Sequence, residues 1–101
     1  MIKSFFAGKF YEKEFDKLEW QIIESFEGDF GPGSLPMKRT EKEMKGILVP
    51  HSGYKFSGGC MAWAYKLVAE RKLPKAFVIL AVDHYSKIKG VVSTLEDFET
   101  P

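Results

Sequence analysis

The stretch Glu14–Phe26 (EFDKLEWQIIESF) carries Phe15, Leu18, Ile22 and Phe26 at steps of three and four, which draws one apolar stripe along a helix. Glu12 and Glu14 favour the amino end of that helix, and Gly28 is its natural stop. From Gly28 to Glu43 the chain is first turn-rich and then charged, so this part reads as an exposed connection. Three short apolar runs follow: Gly46–Val49, closed by Pro50, then Ala76–Val82, then Ile88–Thr94. Each has the length and content of a buried strand. Between the first two, Ser57 is a candidate N-cap for a helix running to Lys72, with Met61, Ala64, Tyr65 and Val68 facing inward. Strand, helix, strand with fully apolar strands predicts an α/β fold. Its βαβ units would sit in a central, largely parallel sheet flanked by helices, with a right-handed crossover. The pattern has no internal repeat, and residues 1–101 read as a single domain.

Composition narrows the field without naming a function. Hydrophobic residues make up 45% and aromatics 15% of the 101 residues, enough for a folded core. Lys and Arg number 15 against 14 Asp and Glu, a net charge of +1. That balance offers no support for a nucleic-acid partner and argues against electrostatic docking on an anionic membrane. The one cysteine, Cys60, excludes an intramolecular disulfide and reads as a small packing residue on its helix. The first ten residues lack a signal-peptide core, and no apolar run approaches the ~20 residues of a membrane span. A soluble, cytoplasmic protein is the expectation.

The chemistry gathers at the two histidines. His51 follows the first apolar run and His84 the second. In open α/β sheets, sites form beyond the carboxyl ends of the strands. Neighbouring strands about 4.8 Å apart would bring both imidazoles to one sheet edge. Two neutral imidazoles at open positions suit a metal such as non-haem iron, and one imidazole suits general acid–base work. Each could equally just cap its strand. Asp83 adds a carboxylate, but alternation along an extended chain turns it away from His84, as a supporting partner of the histidine or a turn residue. The low-bulk loop His51–Gly59 would let Gly58 bring backbone close to a ligand, while the helix start offers N–H groups to an anion. Tyr54 is a candidate pocket residue or a packing residue. Ser57 is a cap rather than a nucleophile, because no Ser-His-acid pattern surrounds it.

These residues resemble a known family, the Memo-like proteins. AGKFYE is similar to its N-terminal AGSFYP-type motif, and GPGSLP to a linker of its prokaryotic members. LVPHSGYKFSGGCMAWAY resembles its PHAGY…SG…A..AY segment. FVILAVDHYS stands where the family has a VILGPNH-type segment, and DFETP resembles its W.TP motif. The resemblance implies a fold related to the class III extradiol dioxygenases and a pocket built partly from His51 and His84. Iron or copper would be the cofactor, with dioxygenase-like redox chemistry if the protein is an enzyme, and a small molecule or peptide would occupy the crevice. It also draws Lys9 of AGKFYE towards that pocket as a ligand-binding candidate. Family members are more than twice as long, with further pocket residues beyond the point matching Pro101. The resemblance therefore reads this chain as the N-terminal, incomplete part of a Memo-like domain. Such a part would self-associate, or take a partner chain, through an open sheet edge. The departures are the family's NH, which is Asp83-His84 here, and its preceding Gly-Pro, which is Ala81-Val82. A rival reading is a peptide- or anion-binding module without turnover.

Overall fold

Helix α1 spans Phe15–Glu27 and helix α2 spans Tyr54–Ala69, in a computed structural model that describes all residues from Met1 to Pro101. The bounds of α1 agree with its apolar stripe. Asp16 lies in its first turn, favourable to the helix dipole, and the Gly28 N–H donates to the Glu24 carbonyl at its end. Helix α2 starts earlier than the sequence predicts. Gly53, not Ser57, is its N-cap. Ser57 is buried in the second turn, and its hydroxyl donates to the Ser52 and Gly53 carbonyls at 3.0 and 3.2 Å. This is the local back-bonding open to serine inside a helix. The Tyr54 N–H at the start of α2 donates to the Phe10 carbonyl at 2.8 Å, which fixes the N-terminal segment against it.

The two helices pack on each other through small residues. Ser57, Gly58 and Ala62 are the buried positions of α2, and Ala62 is the only buried hydrophobic residue in the chain. Gly58 lies against Ser25 of α1, and Gly59 lies against Phe30 just beyond it. A cleft of about 510 Å³ opens between the helices, lined by Ile22 and Phe26 on one side and by Met61, Tyr65 and Val68 on the other. Met61, Tyr65 and Val68 of the expected inward face thus line the α1-facing side, whereas the buried alanine is Ala62 and not the expected Ala64. Cys60 is exposed, contrary to its reading as a packing residue. Starting α2 at Tyr54 puts residues 54, 58, 61, 62 and 65 on the packed side and turns position 60 away from it.

The connection after α1 is exposed, as expected, and is pinned to the end of α2. Lys66 Nζ donates to the Ser34 hydroxyl and the Leu35 carbonyl, both at 2.8 Å, and pairs with Glu70 at 3.0 Å. Glu70 accepts from the Met37 N–H at 2.8 Å, and Arg39 donates to the Arg71 carbonyl at 2.6 Å. At the other end, Ile2 forms an isolated parallel bridge with Phe98, and the N-terminal ammonium pairs with Glu96 at 3.2 Å.

The central parallel sheet does not form, and the βαβ expectation is corrected here: the structure has two helices and no strand. The runs Gly46–Val49 and Ala76–Val82 make no backbone hydrogen bonds at all, and Ile88–Thr94 enters no ladder. The reason is physical. Apolar, β-branched content makes a segment suited to a sheet, but only a neighbour in register supplies the hydrogen bonds that define one. None of the three runs finds that neighbour within these residues. Their side chains stay open, with Leu48 97% and Leu80 90% exposed.

Candidate functional site

Although no ladder joins the two apolar runs, the residues that follow them converge. His51 Nε2 and His84 Nε2 stand 3.3 Å apart, with ring centroids 5.0 Å apart and planes inclined by 51°. Two imidazoles 33 positions apart in the chain therefore turn the same nitrogen to one point. His51 leaves the Gly46–Val49 run through Pro50 and precedes the buried Gly53 that opens α2. His84 is set by a turn. Asp83 Oδ1 accepts from the N–H groups of Tyr85 and Ser86 at 3.1 and 2.8 Å, reversing the chain around the histidine.

Those two N–H groups, Ser86 first and Tyr85 second, hold the Asp83 carboxyl below the usual carboxylate range. Asp83 is thus the turn residue of the pair of roles open to it in the sequence. The ring of Tyr85 lies 6.2 Å from that of His84, edge towards face. Sequence reasoning passed over Tyr85; its signal is its place directly after His84 inside the turn that Asp83 closes.

The other candidates lie elsewhere. Tyr54 lines the cleft between α1 and α2, with its ring 5.6 Å from that of Tyr11. Burial, and then the neighbouring Tyr65 and Tyr11, push its phenol above the ordinary tyrosine value. No hydrogen bond or ring contact links Tyr54 to either histidine. Gly58 is taken up by the contact with Ser25, and Ser57 by its own loop carbonyls. Lys9 is exposed in a turn, its N–H donating to the Phe6 carbonyl, and makes no ion pair. At the start of α2 the Tyr54 and Phe56 N–H groups already donate, to Phe10 and Gly53, which leaves less for an anion there. The structure brings the His51 and His84 rings together, while no hydrogen bond or ion pair links Tyr54, Ser57 or Lys9 to either ring.

The 3.3 Å separation has a chemical meaning. Two ligand nitrogens about 2.0–2.1 Å from one metal, at an angle between octahedral and tetrahedral, stand roughly 2.9–3.4 Å apart. The same 3.3 Å is a hydrogen-bond distance, at which one imidazole N–H donates to the Nε2 of the other ring. No third His, Cys, Asp or Glu joins the two in a metal-holding cluster.

The profile of the family described as Memo-like protein matches residues 3–101. The chain belongs to the Memo-like family. A MEMO1 family protein of Methanothermobacter thermautotrophicus is 36% identical over 85 residues, covering 84% of this chain and 31% of that protein. One from Pyrobaculum arsenaticum is 37% identical over 97 residues, covering 94% of this chain and 34% of its own. One from Sulfurisphaera tokodaii is 41% identical over 81 residues, 77% of this chain and 28% of its own. This Memo-like chain thus spans about a third of the length of the curated relatives it matches. No solved structure matches it. No helix is long and apolar enough to cross a membrane.

Proposed function

We propose that this Memo-like protein holds a mononuclear metal ion, iron or copper, between His51 and His84. The observation that supports the reading is the 3.3 Å separation of the two Nε2 atoms, a hydrogen-bond distance that also falls within the span of two nitrogens on one metal. Neutral imidazole suits iron and copper alike. Asp83 acts through the chain: its turn aims the His84 ring. Water or groups outside this set would complete the coordination sphere, because no third His, Cys, Asp or Glu clusters with the two histidines. Two protein ligands alone predict weak binding. Such an ion would supply Lewis acidity or one-electron chemistry, with open positions for a small molecule. Dioxygenase-like turnover is the enzymatic form of the proposal.

The test is a titration of the purified chain with Fe(II) under nitrogen and with Cu(II) in air. One site per chain is expected, lost in the His51→Ala/His84→Ala variant. Equal affinity in the variant would overturn the proposal.

A further inference from the structure

His51 and His84 meet at the same atom of each ring, Nε2 against Nε2 at 3.3 Å. That symmetry is chemically restrictive. A neutral imidazole carries one proton on two nitrogens, so each Nε2 is either a donor or an acceptor. Protons on both Nε2 atoms would point two hydrogens at each other. Protons on both Nδ1 atoms would set two lone pairs face to face. Only opposite tautomers give a bond, with one Nε2–H donating and the other Nε2 accepting. The backbone holds both rings at this point. Pro50, with its fixed φ, stands directly before His51. Asp83 Oδ1 accepts from the N–H groups of Tyr85 and Ser86, which fixes the chain on either side of His84. The Tyr85 ring, 6.2 Å from that of His84, gives it a second aromatic neighbour.

We propose that His51 and His84 are joined by a single Nε2–H···Nε2 hydrogen bond between opposite tautomers, and that this bond and a metal ion compete for the same two nitrogens. The hydrogen bond stands without any metal; the competition rests on the metal reading above. An ion held by both Nε2 atoms needs both lone pairs. The donor ring must therefore give up its proton at Nε2 and take one at Nδ1, through water, so that both rings end as the Nδ1–H tautomer. Two rings that start neutral release no net proton in this exchange. The hydrogen bond then acts in two opposed ways. It keeps two rings, 33 positions apart in the chain, within the span of one ion, so less ordering is left for the ion to impose. It also has to break before the ion can engage both rings. The pair is thus a regulated seat, poised for an ion and closed by its own proton until the ion displaces it.

The experiment is nitrogen-15 magnetic resonance of the full chain labelled at histidine, treated with a chelator and held at about pH 8, above the ordinary imidazole range, so that both rings are neutral. The chain has 2 histidines, so two ring systems appear, and His51→Gln and His84→Gln assign them. One ring should carry its proton on Nε2 and the other on Nδ1, with a scalar coupling between the two Nε2 nuclei across the hydrogen bond. Each single variant should lose the coupling, with far-ultraviolet dichroism verifying α1 and α2. One equivalent of Cu(I), added under nitrogen, is diamagnetic and leaves the signals sharp. It should abolish the coupling and bring both rings to the Nδ1–H tautomer. The same tautomer in both rings of the chelator-treated chain, or no coupling between them, would overturn the proposal even if Cu(I) binds. A coupling that survives stoichiometric Cu(I) binding would overturn the competition. Opposite tautomers and a coupling in a chain that takes up no Cu(I) would support the hydrogen bond and overturn both the competition and the metal reading.

Discussion

The indole N–H of Trp63 on α2 donates to the carbonyl of Phe30 at 3.0 Å, across 33 positions of sequence. It holds the segment after α1 down on the second helix, beside the place where Gly59 meets Phe30. Trp63→Phe keeps most of the apolar surface and removes the donor. The expected cost is about 1 kcal/mol, in the range of a single hydrogen bond. It is read as a lower midpoint in a urea titration followed by far-ultraviolet dichroism. An unchanged midpoint would mean the contact contributes nothing.

Close approach of the helices depends on missing side chains. A Cβ at Gly58 would strike the Ser25 hydroxyl, and one at Gly59 would come within 2.8 Å of Phe30 Cβ and 3.0 Å of its carbonyl carbon. Gly58→Ala and Gly59→Ala should therefore each destabilise the chain by about 1–3 kcal/mol, the usual cost of overpacking, despite alanine's better helix propensity. Because backbone yields less easily than a serine hydroxyl, Gly59→Ala should cost more. A stabilised Gly59→Ala variant would contradict the packing.

Glu70 sets a pH dependence. The Met37 N–H first, and Lys66 second, hold its carboxyl below the ordinary glutamate value. A depressed carboxylate contributes stability that is present above its unfolded pKa and lost as pH falls through the folded one. The attachment of residues 34–40 to α2 should thus loosen on acidification below the normal glutamate range and hold at neutral pH. Amide exchange at Met37 is the readout: faster at low pH in the wild type than the change in intrinsic rate explains, and already fast in Glu70→Ala at about pH 7, where the wild-type carboxylate is fully ionised. Equal protection in both proteins at neutral pH would contradict this.

How much of this was legible in the sequence differs from element to element. The stripe Phe15–Leu18–Ile22–Phe26 gives α1 almost to the residue, because helical hydrogen bonds are local and the period suffices. The start of α2 is displaced because a serine looks like a cap, while the cap that forms is Gly53, held beside Phe10 by a contact no local pattern encodes. The strands fail for a deeper reason. Val78 and Ile79 carry a preference for a sheet, but the partner that satisfies it is non-local. His51 and His84 were paired in the sequence by their places after two apolar runs, and they meet without any ladder between those runs. Tyr54 reads as a pocket or packing residue, and Ser57 as a cap, from local position alone. The register of α2 sends one to the α1 cleft and the other to its own loop.

The central claim is that His51 and His84 take one metal together. Electron paramagnetic resonance of the chain loaded with one equivalent of Cu(II) counts the bound nitrogens directly. The account predicts couplings from two imidazole nitrogens in the wild type, from one in His51→Ala and in His84→Ala, and from none in the double variant. The same two-nitrogen signal surviving in either single variant would contradict it.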